Sequence, residues 1–314
     1  MGLSATGRKD LAVVIVNYNT REFLGPCLEA LPAALGGLSA ETWVVDNASP
    51  DGSADFVRER FPGIHLIASA RNGGYAHGNN LGLRAAGFGH STPGRSSDFR
   101  HAALLNPDTV PPPESLARLV ACLDADPSVG ACGPRVERPD GTLDRACRRG
   151  APTPLVAFYQ LIGLAKLFPR SRHFARYNLT YLPEHRRAEV DAVVGACMLL
   201  RGEALEAVGL MDERFFMYGE DLDLCLRIRG AGWRVVYFPE VRMPHHKGAS
   251  TRKSTDRMIR EFYRSMELFH QKHFAASSPL PVNVGIRLAV RLGCAIALAR
   301  NATRSPQRRT VGSA

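Results

Sequence analysis

The segment LAVVIV at residues 11–16 constrains the fold more than any other part of the chain. An uninterrupted run of β-branched and aliphatic residues is typical of a strand buried on both faces of a parallel sheet. Further strand-like and helix-like segments then alternate along the chain. The predicted strands are 41–47, 65–69, 101–106 and 129–136, and the predicted helices are 20–31, 51–61, 78–86 and 113–125. This order predicts an α/β fold with an open, mostly parallel sheet and helices on both faces.

Polar residues follow three of these strands at the point where each strand ends. They are Asn17, the pair Asp46 and Asn47, and the pair Asn106 and Asp108. Ligands of open α/β sheets bind outside the carboxyl ends of the strands, so the group predicts a binding edge. Any one of these residues alone is also explained by a chain turn, because Asn and Asp are common turn residues.

The second half of the chain is less regular. We predict strands over 190–201 and 233–238 and a packed helix over 254–274, whereas 87–98 is typical of an exposed loop. Residues 1–253 are expected to form the sheet domain, and residues 254–314 a C-terminal helical tail.

Part of that tail, residues 282–299, is apolar but is interrupted by Arg287 and Arg291. An amphipathic helix on an anionic membrane surface accommodates both arginines, and an uninterrupted membrane span usually does not. The alternative is a helix packed on the domain, followed by a frayed basic end.

The charge of the chain points to an anionic partner. The formal net charge is +10 and the pI about 9.6, which favours nucleic acid, a phosphorylated ligand or an acidic membrane. The seven cysteines are single and form no C-x-x-C pair, so a disulfide framework and a zinc site are not expected. Since the N-terminus MGLSATGRKD also lacks an apolar core, we expect a reducing, cytoplasmic location.

Three carboxylates lie within four positions in FFMYGEDLDLCLRIRGAGW, between an aromatic run and a helix-like stretch. Acidic residues at a helix start are favoured by the helix dipole, and Gly219 allows a sharp entry, so a purely structural role is one interpretation. The other interpretation is that Glu220, Asp221 and Asp223 carry chemistry. The segment alone does not decide between the two.

Seven ordered blocks resemble the family-2 glycosyltransferases, and most of all their rhamnosyltransferase-like bacterial branch. The blocks are VVIVNYN, VVDNASPDGS, RNGGYAHGNN, LLNPDT, GACMLLR, FFMYGEDLDLCLR and HHKGAS, within residues 11–252. The resemblance implies a GT-A fold, a nucleotide-sugar donor, a divalent cation and inversion at the anomeric carbon. The donor is then the phosphorylated partner, and nucleic acid is not expected.

The resemblance also assigns the donor-binding residues. Asp46 and Asn47 match positions that hold the base and ribose, although many relatives carry Asp where this chain has Asn47. Arg71 and Asn72 would lie near the nucleotide, where Gly73 and Gly74 allow close backbone approach. Asn17 and Asn106, at the ends of their strands, complete the expected set.

Metal binding and catalysis are assigned in the same way. Asp108 matches the metal-binding aspartate, and His245 matches a histidine that can reach the ion, although His246 is an alternative. Mg²⁺ or Mn²⁺ is expected, because each takes carboxylate and phosphate oxygens. Asp221 matches the general base that takes the proton of the acceptor hydroxyl. Glu220 would orient the acceptor, and Asp223 would cap or stiffen the helix.

The sequence therefore predicts an inverting glycosyltransferase that uses dTDP-L-rhamnose, or a related dTDP- or UDP-sugar. Its acceptor would be a hydroxyl of a lipid-linked glycan or polysaccharide in cell-envelope synthesis, reached at the inner face of the cell membrane. A nucleotide-dependent oxidoreductase is an alternative, but the G-x-G-x-x-G fingerprint is absent. A non-catalytic, membrane-associated glycan-binding protein is another.

Overall fold

The computed structural model describes residues 7–89, 97–246 and 255–303. The strands are β1 (Lys9–Asn17), β2 (Ala40–Asp46), β3 (His65–Ala68), β4 (Phe99–Leu105), β5 (Val129–Glu137), β6 (Ala188–Glu189), β7 (Cys197–Arg201) and β8 (Arg234–Pro244). The helices are α1 (Arg21–Leu35), α2 (Ser53–Arg60), α3 (Tyr75–Ala85), α4 (Ser115–Ala125), α5 (Pro154–Leu161), α6 (Leu164–Leu167), α7 (Gly202–Val208), α8 (Glu220–Gly230), α9 (Thr255–His273) and α10 (Leu280–Ala302).

All the described strands join one sheet in the order β3-β2-β1-β4-β7-β5-β8-β6. Strands β3, β2, β1 and β4 are mutually parallel, and β5 is parallel to β8. Strand β7 runs antiparallel to both β4 and β5, and β6 runs antiparallel to β8. The predicted mixed α/β architecture with a mostly parallel sheet is confirmed.

Strand β1 lies at the centre of the core, as its composition predicts. Residues 11–15 have no exposed surface, because helices cover both faces of the sheet. Burying an aliphatic side chain of this size contributes about 1.5–3 kcal/mol, so the run stabilises the sheet strongly.

Two segments differ from their predictions. Of the predicted strand 190–201, only Cys197–Arg201 is a strand. Groups of the residues before Cys197 form hydrogen bonds with segments outside the sheet. Gly195 donates its N–H to Asp221, and Asp191 accepts from the N–H of Ala151. The described ends of the predicted loop 87–98 are only partly exposed: Gly89 and Asp98 are exposed, whereas Phe88 and Ser97 are buried. Residues 90–96 lie outside the described residues.

Helix α10 packs lengthwise on α9 but leaves much of its surface exposed. Asn301 donates to Asp256 at 2.6 Å, and Arg287 pairs with Glu267 at 3.2 Å. By length and composition alone, α10 is the one helix in the described residues that could cross a membrane, which is weak evidence. The basic end of the tail, with Arg304, Arg308 and Arg309, lies outside the described part of the chain.

An ionic cluster fastens α9 to α8. The carboxylate of Asp223, which is fully buried, pairs with Arg227 at 2.9 Å, Lys272 at 2.6 Å and His273 at 2.8 Å. Burial opposes its ionisation, but the hydrogen bonds from His273 and Lys272 outweigh burial and lower the pKa of Asp223. This stabilisation is therefore present at neutral pH and is lost as the pH falls through that lowered pKa. Gly219, and not Asp223, occupies the N-cap of α8.

We expect Asp223→Ala to lower the free energy of unfolding by about 3–5 kcal/mol, because it leaves Arg227 without its buried carboxylate. The control is Asp55→Ala, which removes an exposed ion pair with Arg58 and should cost about 1 kcal/mol or less. Denaturant titration at neutral pH measures both values. Equal losses in the two variants would contradict the structural role of the cluster.

Candidate active site

The ends of β1 and β2 form a rigid polar edge. Asn17 and Asp46 are paired in register, and Asn17 donates to the Asp46 carboxylate at 2.8 Å. The other carboxylate oxygen of Asp46 accepts from the N–H of Ser49 at 2.9 Å. Asn17 is fully buried, and its side-chain amide oxygen accepts a hydrogen bond from the Thr20 hydroxyl at 2.6 Å. The structure therefore places Asn17 behind Asp46, where it orients that carboxylate.

The glycine-rich turn after β3 lies beside this edge. Asn47 donates to the carbonyl of Gly74 at 3.0 Å, and Asn72 accepts from the N–H of Gly74 at 3.0 Å. Arg71 is exposed. Gly74 has φ 90°, and a Cβ there would lie 2.2 Å from the carbonyl oxygen of Phe216, so only glycine fits. The aromatic run before α8 thus packs directly on the predicted nucleotide turn.

Asp108 and His245 come together at the ends of β4 and β8. The Nε2 of His245 lies 3.1 Å from the Asp108 carboxylate and 3.4 Å from the Asn106 amide. His246 is exposed and approaches Asp108 only through its backbone N–H, at 2.8 Å from the carbonyl oxygen. Of the two candidate histidines, the structure brings the side chain of His245 to Asp108. Residues 247–250 of the HHKGAS block lie outside the described residues.

This pair fits a divalent cation that takes further ligands from a substrate. Two neighbouring ligands of an octahedral ion, each about 2.1 Å from it, are about 3 Å apart, close to the separation of Asp108 and His245. Nδ1 of His245 is buried without a hydrogen-bond partner. In the described ranges no group of three or more His, Cys, Asp or Glu side chains is placed to hold a metal. The remaining ligands would therefore come from diphosphate oxygens and water.

Asp221 is held in place from three directions. One carboxylate oxygen accepts from Arg149 at 2.6 Å and from the N–H of Gly195 at 3.1 Å. The other accepts from the N–H of Leu222 at 2.7 Å, at the start of α8. Burial opposes ionisation of Arg149, but Asp221 outweighs burial and raises the pKa of the guanidinium. Asp221 and Arg149 thus form an ion pair that is largely shielded from solvent.

Sequence reasoning missed Arg149. The residue lies in a basic CRRG stretch that matches none of the seven blocks, and its partner Asp221 is 72 residues away. The one local signal is an arginine beside a glycine shortly after a predicted strand, which is too common to identify a buried ion pair.

Glu220 has a different environment from its neighbour. Burial and the charge of Asp221 raise the pKa of Glu220 to about 8, and one of its carboxyl oxygens is buried without a hydrogen-bond partner. Near neutral pH Glu220 is therefore mainly protonated. A protonated carboxyl group can donate a hydrogen bond, so Glu220 can act as a donor beside the acceptor oxygens of Asp221.

The turn at Gly195 and Ala196 connects the separate parts of the site. Gly195 donates to Asp221, and its carbonyl accepts from the Tyr75 hydroxyl at 2.7 Å. Ala196 accepts from the N–H of Asn106 at 2.9 Å. The turn thus joins α8, the glycine-rich turn and the Asp108–His245 pair in one arrangement.

Glu220→Gln is expected to become more stable relative to the unmodified chain as the pH rises from about 5 to about 9. In the unmodified chain the unfolded state releases the proton of Glu220 at a lower pH than the folded state does, so stability falls as the pH rises toward the folded-state pKa of about 8. Glutamine stays neutral in both states and has no such loss. Thermal unfolding at several pH values measures the difference in Tm between the two proteins. Each 1 kcal/mol of relative stability corresponds to about 2–4 °C in Tm for a domain of about 150–250 residues. The exposed Glu29→Gln is the control, and a parallel response of both variants would refute the assignment.

Comparisons with known proteins bear on this arrangement. The model of a family described as glycosyltransferase like family 2 matches residues 8–264. The N-acetylglucosaminyl-diphospho-decaprenol L-rhamnosyltransferase of Mycobacterium tuberculosis is 31% identical over 263 residues, which cover 82% of this chain and 83% of that protein. The low-salt glycan biosynthesis hexosyltransferase Agl10 of Haloferax volcanii is 29% identical over 220 residues, which cover 70% of this chain and 62% of that protein.

Solved structures share the fold. The mannosyltransferase PcManGT from Pyrobaculum calidifontis, in complex with GDP-Man and Mn²⁺, has a TM-score of 0.56 at 19% identity, covering 95% of this chain and 76% of that one. TarS 1–349 of S. aureus, in complex with UDP, has a TM-score of 0.53 at 15% identity, covering 95% of this chain and 73% of that one. At these identities the likeness concerns the fold alone.

Proposed function

The chain belongs to glycosyltransferase family 2, with the GT-A fold that its motifs imply, and we propose that it is an inverting sugar transferase. Its donor is dTDP-L-rhamnose or a related dTDP- or UDP-sugar, and its acceptor is a hydroxyl of a lipid-linked glycan or polysaccharide of the cell envelope. The observation that carries the proposal is that one turn connects Asp221, which lies beside Glu220, with Asn106 next to the Asp108–His245 pair. The Mycobacterium tuberculosis relative, by its name a rhamnosyltransferase on a diphospho-decaprenol, supports the choice of sugar and acceptor. Membership of this family leaves the oxidoreductase alternative without support.

The donor is proposed to lie along the edge formed by β1, β2 and the glycine-rich turn. Asp46 and Asn47 face the base and ribose, while Arg71 supplies positive charge for the phosphates and Asn72 shapes the turn. Asn17 acts behind them by fixing Asp46. Asp108 and His245, beside Asn106, would hold Mg²⁺ or Mn²⁺, which when bound offsets the charge that develops on the leaving diphosphate.

Transfer requires a base on the side opposite the leaving group. The acceptor oxygen forms a bond to the anomeric carbon as the bond from that carbon to the diphosphate oxygen breaks, and the diphosphate leaves with the electron pair. The hydroxyl proton passes to the carboxylate of Asp221. Attack opposite the leaving group inverts the anomeric carbon.

Two neighbours prepare Asp221 for this step. Arg149 and the N–H of Gly195 bind one carboxylate oxygen and fix the orientation of the group. Protonated Glu220 can donate a hydrogen bond to the acceptor and hold its hydroxyl in position. Arg149 is therefore a positioning residue, since it acts through Asp221.

Membrane contact is also part of the proposal. Helix α10 exposes Leu288 and Leu292 and carries Arg287 and Arg291 beside them, as an amphipathic helix on an anionic surface would. Location at the cytoplasmic face of the membrane would bring the enzyme to a lipid-linked acceptor.

Donor binding should depend on metal and on Asp108. A thermal-shift panel of dTDP-, UDP- and GDP-sugars with Mn²⁺, Mg²⁺ or EDTA should give its largest stabilisation for a dTDP-sugar with metal. Asp108→Ala and His245→Gln should lose this stabilisation, because each removes one of two protein ligands. His246→Gln is the matched control and should keep it. Nucleotide-sugar binding without metal, or equal loss of stabilisation in the two histidine variants, would contradict the proposed metal site.

Asp221→Asn should lower transfer by about 10² to 10⁴ while donor binding persists, because an amide cannot accept the proton. Glu220→Gln should retain transfer within about tenfold, since glutamine resembles the protonated acid. Initial rates at saturating donor and acceptor measure both. The reverse order of losses would exchange the two roles, and full activity of Asp221→Asn would remove Asp221 as the base. No turnover with any donor of the panel would favour a glycan-binding role.

A further inference from the structure

Exposed apolar side chains are concentrated in two elements of the described structure. Of fourteen large apolar side chains that are exposed, six lie on α10 and six lie on α5, α6 and the residues flanking them. The second set, called here the α5–α6 surface, contains Leu155, Phe158, Leu161, Ile162, Leu167 and Phe168. Leu161 is 72% exposed and Leu167 is 69% exposed. An apolar group of this extent on a soluble domain marks an interaction site.

The helical form of this surface follows from local sequence. Thr153 accepts a hydrogen bond from the N–H of Val156 at 3.3 Å, and Pro154 occupies the first turn, so α5 is capped in an ordinary way. Phe158, Leu161 and Ile162 then lie three and four residues apart, on one face of the helix. Val156 points inward and is buried. The apolar face is therefore held outward by a properly formed helix.

The charge around this surface has a single sign. From position 145 to position 183 the sequence has seven Lys or Arg residues and no Asp or Glu. Lys166, Arg170, Arg172 and Arg176 are exposed, and within 7–89, 97–246 and 255–303 no carboxylate pairs with any of the four. Many other arginines among the described residues, such as Arg100 with Asp124, have such a partner. An apolar face with a rim of unpaired cations complements an anionic lipid surface.

A cavity of about 340 Å³ lies under the same helices. Arg145 and Lys166 line it together with the polar side chains of Gln160 and Asn178. Two cations in one recess suit the phosphate of a lipid headgroup, because lysine and arginine form charge-assisted hydrogen bonds with phosphate oxygens.

The α5–α6 surface is also close along the chain to Arg149, the arginine that pairs with the proposed base. Arg149, which binds Asp221, precedes α5 by five residues. Gly150 donates to the carbonyl of Tyr177 at 2.8 Å, and a Cβ at Gly150 would lie 2.2 Å from the carbonyl oxygen of Arg176. The segment that carries the surface thus leaves and rejoins the domain beside the arginine that orients Asp221.

We propose that the α5–α6 surface docks the protein on an anionic bilayer. The apolar side chains enter the boundary between headgroups and acyl chains, and the basic rim and cavity bind lipid phosphates. Its purpose rests on the proposed function, because the apolar carrier of a lipid-linked acceptor lies in the same bilayer. Docking at this place would present the acceptor hydroxyl on the side of the site that holds Asp221.

Co-sedimentation of the full chain tests the proposal, with vesicles of phosphatidylcholine alone or mixed with phosphatidylglycerol. Phe158→Asp with Leu161→Asp should weaken binding to the mixed vesicles by about tenfold or more, because two apolar side chains no longer enter the bilayer. Arg170→Glu with Arg172→Glu should weaken it by about tenfold, and added salt should narrow the difference between this variant and the unmodified chain.

Matched controls separate this surface from others. Arg60→Glu with Arg118→Glu makes the same change of charge on exposed positions of α2 and α4 and should leave vesicle binding unchanged. Leu288→Asp with Leu292→Asp changes the exposed face of α10, and circular dichroism checks the fold of every variant. Normal vesicle binding by both α5–α6 variants would overturn the proposal, as would loss of binding only in the α10 variant. A dimer of the unmodified chain that the Phe158 and Leu161 changes dissociate would also overturn it, in favour of a second copy.

Donor-induced thermal stabilisation, measured on the same preparations, reports on the proposed function separately. If the unmodified chain binds vesicles through the α5–α6 surface but no nucleotide-sugar stabilises it, the docking proposal stands and the transferase proposal fails.

Discussion

The turn at Gly195 and Ala196 is the constraint on which the site depends. Its backbone groups bind Asp221, the Tyr75 hydroxyl and the N–H of Asn106, and these three belong to segments distant in sequence. A Cβ at Gly195 would lie 2.9 Å from the Tyr75 hydroxyl oxygen, so a larger residue would displace that side chain. Because the backbone of Gly195 and Ala196 bonds to these groups of the site, β7 begins only at Cys197. The residues before Cys197 therefore contribute to the site and not to the sheet.

Electrostatics then distinguishes two adjacent carboxyl groups. Asp221 faces Arg149 and two N–H groups, which favour its charged form, whereas Glu220 has burial and the charge of Asp221 against it. Both effects are strong because water is largely excluded. Asp223, two residues further along, turns to Arg227 and α9 and stabilises the junction of two helices. Three acidic residues in one short motif thus have three different environments.

The distribution of apolar surface gives the molecule two exposed faces outside its core. The sheet and its helices bury their apolar residues in one cluster, but α10 and the α5–α6 surface do not bury theirs. A domain that needed only a soluble donor would have no evident use for either face. Both faces are compatible with the proposed membrane contact, and the α5–α6 surface is joined to Arg149, which pairs with the proposed base.

Local sequence determined much of this protein. The long apolar runs predicted the parallel strands, since a strand buried on both faces must be continuously apolar. Asp46, Asn106 and Asp108 could be placed at one edge, because the carboxyl ends of parallel strands meet there. The ordered motifs identified the family. Only the tertiary structure paired Arg149 with Asp221, chose His245 over His246 as the neighbour of Asp108, and turned Asn17 inward. These outcomes depend on distances between residues far apart in the chain and on how burial shifts their charges, and neither is encoded in a local pattern.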